Sequence, residues 1–387
     1  MKTHPSTDVS STDVSSTDVS STDVSRDIFI VTQTFPPHIG GMESVMYALA
    51  NGLAARGYNM HVFGDKPFDA ASENFSFSHT DWFKPWRAWR KKLSLTAALR
   101  QQTDPLIICD SWKSVAAVPD IERIGGRLVV LAHGQEYLKT GRHAERVSRA
   151  LARTHILIAN SKDTLERATP FLPSAQVTRH VIAPTFALPA DAPPITLTKN
   201  DNRAPLKLVS LCRLEARKGL AQTIKALAGM KSELPDFTWQ IAGIGPEAEN
   251  LHATIRACGL EDQVFLSGHL DVEDKVEFLS NADLFIMPSY QHGNSLEGFG
   301  ISYIEAARFG VPALAGNTGG AREAVLHGET GWCVDTLNPD ELAAALREAM
   351  TDTERREQLG RQAQERYLAE FTGPDILDRF ANLCGLR

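Results

Sequence analysis

The chain has 387 residues, enough for two domains with sizeable cores, and its 43% hydrophobic and 22% charged residues are the balance of an ordinary globular protein. A formal net charge of −7 argues against a dedicated nucleic-acid binder. Five scattered cysteines (Cys109, Cys212, Cys258, Cys333, Cys384) without a C-x-x-C pair fit neither a disulfide framework nor a zinc site. No apolar run reaches the ~18 residues of a membrane-spanning helix and no signal peptide opens the chain, so a cytoplasmic protein is expected.

Residues 6–25 are four copies of STDVS. A five-residue period matches neither helix nor strand, and Ser, Thr and Asp bury too little surface to offset ordering, so residues 1–25 are expected to be a disordered tail. A first α/β domain is assigned to 26–190. Ile28–Thr32 reads as a buried parallel strand, followed by a loop to Gly41, a helix from Met42 to Arg56 and a strand at Met60–Phe63. Gly40 and Gly41 stand at the helix start without forming a G-x-G-x-x-G fingerprint, so no NAD is inferred.

From Phe75 to Arg100, Trp82, Phe83, Trp86 and Trp89 interleave with Lys84, Arg87, Arg90, Lys91 and Lys92. Such a segment suits a membrane surface, where rings settle at headgroup level and cations meet anionic lipid. It equally suits tryptophans packed on the sheet with a solvated cationic rim. LIICD (106–110) and RLVVLAH (127–133) are further buried strands. The second delivers His133, Gly134, Gln135 and Glu136 to its C-terminal end, where ligands bind in open α/β sheets. In THILIANSKDT, Ser161 is placed to cap a helix, beside Asn160.

The proline-rich stretch around 191–205 reads as a linker, 206–370 as a second domain and 371–387 as a C-terminal helix. Strand 206–211 runs into Arg213, Glu215, Arg217, Lys218 and Gly219 ahead of a helix, a cationic loop suited to a diphosphate. Gly243 lies in a G-x-G turn after strand 237–242, a weak phosphate signal taken alone. Strand 263–268 leads to His269 and Leu270, and ADLFIMPS feeds Glu297, Gly298, Phe299 and Gly300. A helix carrying Glu305 follows. Two acids either side of a helix start suit a ligand with hydroxyls at both ends and phosphate between them, the layout of a nucleotide sugar.

Glu297 and Glu305, eight apart within EGFGISYIEA, together with GVPALAGNTGGAREAVLHGETGWCVD downstream, resemble retaining glycosyltransferases of family 4. PPHIGGME, HGQE and CRLEARKG resemble that family's first loop, H-G-x-E element and R-L-x-x-x-K-G element, in the family's order. The resemblance implies the GT-B fold, two Rossmann-like domains facing across a cleft, acceptor side first and donor side second, with the last helix returning to the first domain. It places Gly40 and Gly41 beneath the donor phosphates and His133 at the transferred sugar. Arg213 and Lys218 would hold the diphosphate, with Gly243 a further donor-side candidate and His269 and Leu270 at the base. Glu297 would meet sugar hydroxyls beside the Gly298 and Phe299 amides, Gly300 would open the phosphate-binding helix, and Glu305 would bind the ribose.

The loop 290–296 is similar to that of the phosphatidylinositol mannosyltransferase branch, which implies a glycan or lipid-linked acceptor in envelope or polysaccharide synthesis, and the membrane reading of the 75–100 segment adds peripheral contact with the inner membrane surface. No D-x-D element stands at a strand end. No metal and no cofactor beyond the nucleoside diphosphate sugar substrate are therefore expected, and no protein general base is assigned. The alternatives are another GT-B enzyme, such as a nucleotide-sugar epimerase or glycan phosphorylase, or a non-catalytic sugar-nucleotide-binding subunit.

Overall fold

A computed structural model of the chain describes residues 27–37, 40–81, 83, 86–173, 177–185 and 205–386. The expected STDVS tail and nearly all of the expected linker lie outside the described residues, as do Trp82 and Lys84.

Two parallel sheets organise the rest. The first is built from β1 (Asp27–Val31), β2 (Asn59–Gly64), β3 (Ser76–His79), β4 (Leu106–Cys109), β5 (Arg127–Ala132), β6 (Ile156–Ala159) and β7 (Thr178–Val181), in the order β3-β2-β1-β4-β5-β6-β7. The second contains β8 (Leu206–Leu211), β9 (Phe237–Ala242), β10 (Val264–Gly268), β11 (Leu284–Met287), β12 (Ala313–Gly316) and β13 (Gly331–Val334), in the order β10-β9-β8-β11-β12-β13. The central strands are buried on both faces, which is why DIFIV, LIIC and LFIM read as unbroken apolar runs instead of alternating ones. Helices cover both faces of each sheet, giving two apolar layers per sheet.

Each sheet reverses its order once, between β1 and β4 in the first and between β8 and β11 in the second. Crevices at the carboxyl ends of strands flanking such a reversal are where open α/β sheets bind ligands. Beyond these ends lie Thr32, Asp110 and His133 in the first sheet, and the Arg213–Lys218 loop and Pro288–Gly300 in the second.

Helix α1 (Gly41–Ala54) follows β1, α2 (Arg87–Ala98) follows β3, α3 (Arg142–Leu151) follows β5, α6 (Ala248–Ala257) follows β9, and α10 (Pro339–Thr351) and α11 (Thr353–Glu370) follow β13. The last helix, α12 (Gly373–Leu383), returns to the first sheet: Ile376, Leu377 and Phe380 join the core containing Val45, Leu49 and Leu53 of α1. Arg56 clamps it from outside, donating to Asp378 at 2.7 Å and to the Pro374 carbonyl at 3.0 Å. Ser161 caps α4 (Lys162–Ala168) through the Thr164 N–H, as its position before the helix predicts.

The described tryptophans of the aromatic segment do not pack on the sheet. Trp86 and Trp89 are 56% and 51% exposed, with Phe83 at 73% and Leu93 at 51%. A lysine goes inside instead. Lys91 donates to the Thr32 carbonyl at 2.6 Å and to Asp65 at 2.5 Å, tying α2 to the ends of β1 and β2. Among the described residues no helix is long and apolar enough to cross a membrane.

Candidate active site

Glu297 is the focus of the second sheet's crevice. The Ala216–Lys218 turn ends at Gly219, whose positive φ of 73° sets the start of α5 (Leu220–Gly229), and this places two neighbouring cations on one carboxylate. Arg217 Nη1 donates to Glu297 Oε2 at 2.7 Å, and Lys218 Nζ donates to the same oxygen. The other oxygen, Oε1, accepts no hydrogen bond from the described residues. Burial pushes the Glu297 pKa upward, but Lys218 and Arg217 outweigh it and hold the carboxyl at about 2. Arg217 is itself raised: burial works against its charge, and Glu297 and Glu215 more than compensate. An ionised acceptor oxygen on a buried residue is thus left without a donor among the described residues.

Arg213 sits apart from this pair. Its side chain is 72% exposed and lies 3.3 Å from Glu215, which also accepts from Arg217 Nε at 2.9 Å. The resemblance of CRLEARKG singled out Arg213 and Lys218 for the diphosphate, and in the structure the second cation on Glu297 is Arg217. The adjacency of Arg217 and Lys218 just before a helix-starting glycine was the available signal.

Gly298 lies where the two halves meet. A Cβ there would collide with the His133 carbonyl and crowd Asn160 Nδ2, so only glycine allows the approach. Gly300, with φ 92°, starts α8 (Ile301–Ala307), and Phe299 is buried against Phe371, leaving only its backbone for a ligand. Glu305, in the second turn of α8, is half-buried and accepts no hydrogen bond from the described residues. Burial raises its pKa against the opposing pull of Lys275 and Arg308. Gly41 comes within reach of the same helix start, since a Cβ on it would lie 3.8 Å from Ile301 Cδ1, and Gly40 precedes it in extended backbone.

His133 faces Gly298 from the first sheet. Its Nε2 lies 2.6 Å from the Asp110 carbonyl, which can only accept, so Nε2 carries the hydrogen. Nδ1, the other ring nitrogen, is buried and has no hydrogen-bond partner among the described residues. The Asp110 carboxylate beneath is satisfied by neutral donors: Thr32 Oγ1 at 2.9 Å, Gln33 N at 2.8 Å, Thr34 Oγ1 at 3.0 Å and Ser114 Oγ at 2.5 Å.

Further bonds tie the halves together. Gln135 Nε2 donates to the Leu296 carbonyl at 3.0 Å. Glu323, on α9 (Ala321–Ala324), accepts from the Lys162 and Asp163 amides of α4 at 2.8 and 2.9 Å. Glu323 was not singled out by sequence, where it reads as one more helix-end acid.

The three other expected donor residues follow the carboxyl ends of β9 and β10. Gly243 is pressed against the Cys212 carbonyl, so its glycine backbone serves the packing of neighbouring strand ends. His269 is 3.6 Å from Asp271. Leu270 lines a cavity of about 340 Å³ with Lys207, Gln240, Asp274 and Phe278, between the β8–β9 face and α7 (Val272–Ser280).

Comparison with known proteins decides the family. Residues 39–184 match the profile described as Glycosyltransferase Family 4, and 198–366 match Glycosyl transferases group 1. The chain is a family 4 glycosyltransferase. A GDP-mannose-dependent alpha-(1-6)-phosphatidylinositol monomannoside mannosyltransferase of Mycolicibacterium smegmatis is 28% identical over 359 residues, 86% of this chain and 91% of the relative. Among solved structures, the glycosyltransferase superposes on a sucrose-phosphate synthase from Thermosynechococcus elongatus with TM-score 0.75 at 19% identity, covering 92% of this chain and 98% of that one. It superposes on Anabaena HepE in complex with UDP and glucose with TM-score 0.73 at 20% identity, covering 93% and 99%. These neighbours have the GT-B fold, and so does this enzyme.

Proposed function

We propose that the enzyme is a retaining, metal-independent hexosyltransferase. It takes its sugar from a nucleoside diphosphate hexose and passes it to a hydroxyl of a glycan or lipid-linked acceptor in envelope glycoconjugate or polysaccharide synthesis, at the cytoplasmic side of the membrane. The mycobacterial relatives favour GDP-mannose as the first donor to test. The observation that carries the reading is Glu297, ionised by two cations on one oxygen and open at the other, with its neighbour Gly298 against His133, whose buried Nδ1 has no partner among the described residues. The open carboxylate oxygen is an acceptor, and a sugar bristles with hydroxyl donors.

In this reading Arg213 swings from Glu215 to the diphosphate and Lys218 turns part of its charge toward it, beside the amides at Gly298, Phe299 and Gly300 and beneath Gly40 and Gly41. Glu305, ready to accept, takes the ribose hydroxyls, and His269, Leu270 and Gly243 line the nucleoside end. The bond between the anomeric carbon and the diphosphate oxygen breaks while the acceptor oxygen bonds to that carbon from the same face. The acceptor's proton passes to the departing phosphate. Negative charge grows on the leaving group, so Arg213 and Lys218 gain more in the transition state than in the ground state. Contact between the halves at Gly298 excludes water and limits donor hydrolysis.

The exposed row Phe83, Trp86, Trp89 and Leu93, with Arg90 and Lys92 beside it, supports seating the first sheet's edge on an anionic membrane, which suits a lipid-linked acceptor. A thermal-shift screen with GDP-mannose, UDP-glucose and ADP-glucose tests the donor. The matching nucleotide sugar raises the melting temperature of the wild type and not of Arg213→Ala/Lys218→Ala. Equal shifts in both proteins would contradict the assignment.

A further inference from the structure

We propose that Arg217 is a positioning residue, whose task is to keep Glu297 ionised and aimed when the donor diphosphate draws on Lys218. The inference rests on the reading that Glu297 meets the transferred sugar.

In the structure both cations bind the same oxygen of Glu297. Their freedom differs. Among the described residues Lys218 has, besides Glu297, only the Met287 sulfur at 3.4 Å, so its ammonium can be shared with an arriving anion. Arg217 is fixed at both ends, by Glu215 on Nε at 2.9 Å and by Glu297 on Nη1 at 2.7 Å, and its carbonyl accepts from the Tyr290 amide at 2.8 Å. The turn carrying it cannot drift, because Gly219 is pressed against the Pro288 carbonyl at the end of β11. A planar cation bridging two carboxylates in this way cannot follow the diphosphate.

A bound diphosphate brings two negative charges toward Glu297 and competes for Lys218. Burial already disfavours the charged carboxylate. The other titratable groups facing it, the Cys212 thiol and the Tyr303 phenol, are pushed up by burial and stay neutral, so they supply no positive charge. Glu215 adds negative charge on the far side of Arg217. Arg217 is therefore the one cation that stays with Glu297 through donor binding. Without it the carboxylate picks up a proton and loses the acceptor character its open oxygen offers to a sugar hydroxyl.

Proton uptake on donor binding tests this directly. GDP-mannose and UDP-glucose serve as probes, since neither titrates near neutral pH through its diphosphate ester. Calorimetric titration at pH 6 in two buffers of different ionisation enthalpy gives the protons bound per donor. The wild type takes up none at this site; Arg217→Gln takes up as much as about one per donor. The uptake disappears in Arg217→Gln/Glu297→Gln, and Arg217→Lys behaves as the wild type. Glu215→Gln, which frees the outer anchor alone, gives a smaller uptake and covers the case of a poorly folded Arg217→Gln. Equal uptake by wild type and Arg217→Gln would overturn the proposal. A Glu297→Gln enzyme with unchanged turnover, or a wild type that binds neither probe, would instead overturn the underlying donor reading.

Discussion

The two sheets share a strand order and a point of reversal, yet their crevices carry opposite chemistry. At the end of the first sheet a carboxylate, Asp110, is closed off by neutral donors, and His133 presents a buried ring nitrogen with no hydrogen-bond partner among the described residues. At the end of the second, five charged side chains run Arg213–Glu215–Arg217–Glu297–Lys218. Topology fixes where a ligand can bind, and side chains fix which part of it. A neutral, hydroxyl-bearing group fits the first crevice and a diphosphate fits the second, so a molecule joining the two belongs between them.

The sharpest way to break this comparison is to remove the charge on the donor side. Glu297→Gln should lower kcat by about 10²–10³-fold while circular dichroism stays unchanged. Next come the two cations, which the structure separates. Lys218→Ala leaves a buried carboxylate short of a partner and should cost about 3 kcal/mol in denaturant unfolding as well as turnover. Arg213→Ala, being exposed, should stay within ~0.5 kcal/mol of wild-type stability yet weaken nucleotide-sugar binding about 10- to 100-fold. Equal stability losses in the two variants would erase the distinction.

The acids also differ in their linkage to pH. Glu297, held at about 2 against an unfolded value near 4.5, contributes stability that is present above pH 4.5 and lost as pH falls toward 2. Glu305 is raised, so its contribution is present at low pH and lost as pH rises through the folded value. Glu305→Gln should therefore raise the neutral-pH melting temperature while weakening donor binding, and Glu297→Gln should flatten the acid limb of stability. A stabilised Glu305→Gln with full donor affinity would remove Glu305 from the site.

Smaller effects are expected at the seam and the rim. Glu323→Gln should weaken the cap across the two halves by about 1 kcal/mol and expand the particle in small-angle scattering. Trp86→Ala/Trp89→Ala should abolish flotation with anionic vesicles at unchanged stability. Vesicle binding equal to wild type would leave that face without its proposed partner.

Much of this was legible in the chain itself. Strands buried on both faces announced themselves as apolar runs, and the glycine-flanked acids marked the second crevice. The edge strands did not: β3 (SFSH) and β7 (TRHV) are short, polar and partly exposed, so no hydrophobic pattern marks them. Nor could spacing show which cation turns toward Glu297, because that depends on the turn at Ala216–Lys218. The segment at 82–92 shows the limit most clearly. Composition allowed the tryptophans inside and the cations outside, whereas Asp65 and the Thr32 carbonyl draw Lys91 inward and leave Trp86 and Trp89 outside. A half-buried carboxylate outcompeted ring burial, and its position is known only from the fold.

The most direct test of the shared-ligand account is calorimetric titration of GDP-mannose and of GDP into wild type, Arg213→Ala and His133→Ala. If the diphosphate belongs to the second crevice and the sugar spans both, Arg213→Ala weakens both ligands alike, while His133→Ala weakens GDP-mannose and leaves GDP untouched. Loss of GDP affinity in His133→Ala, or none in Arg213→Ala, would contradict it.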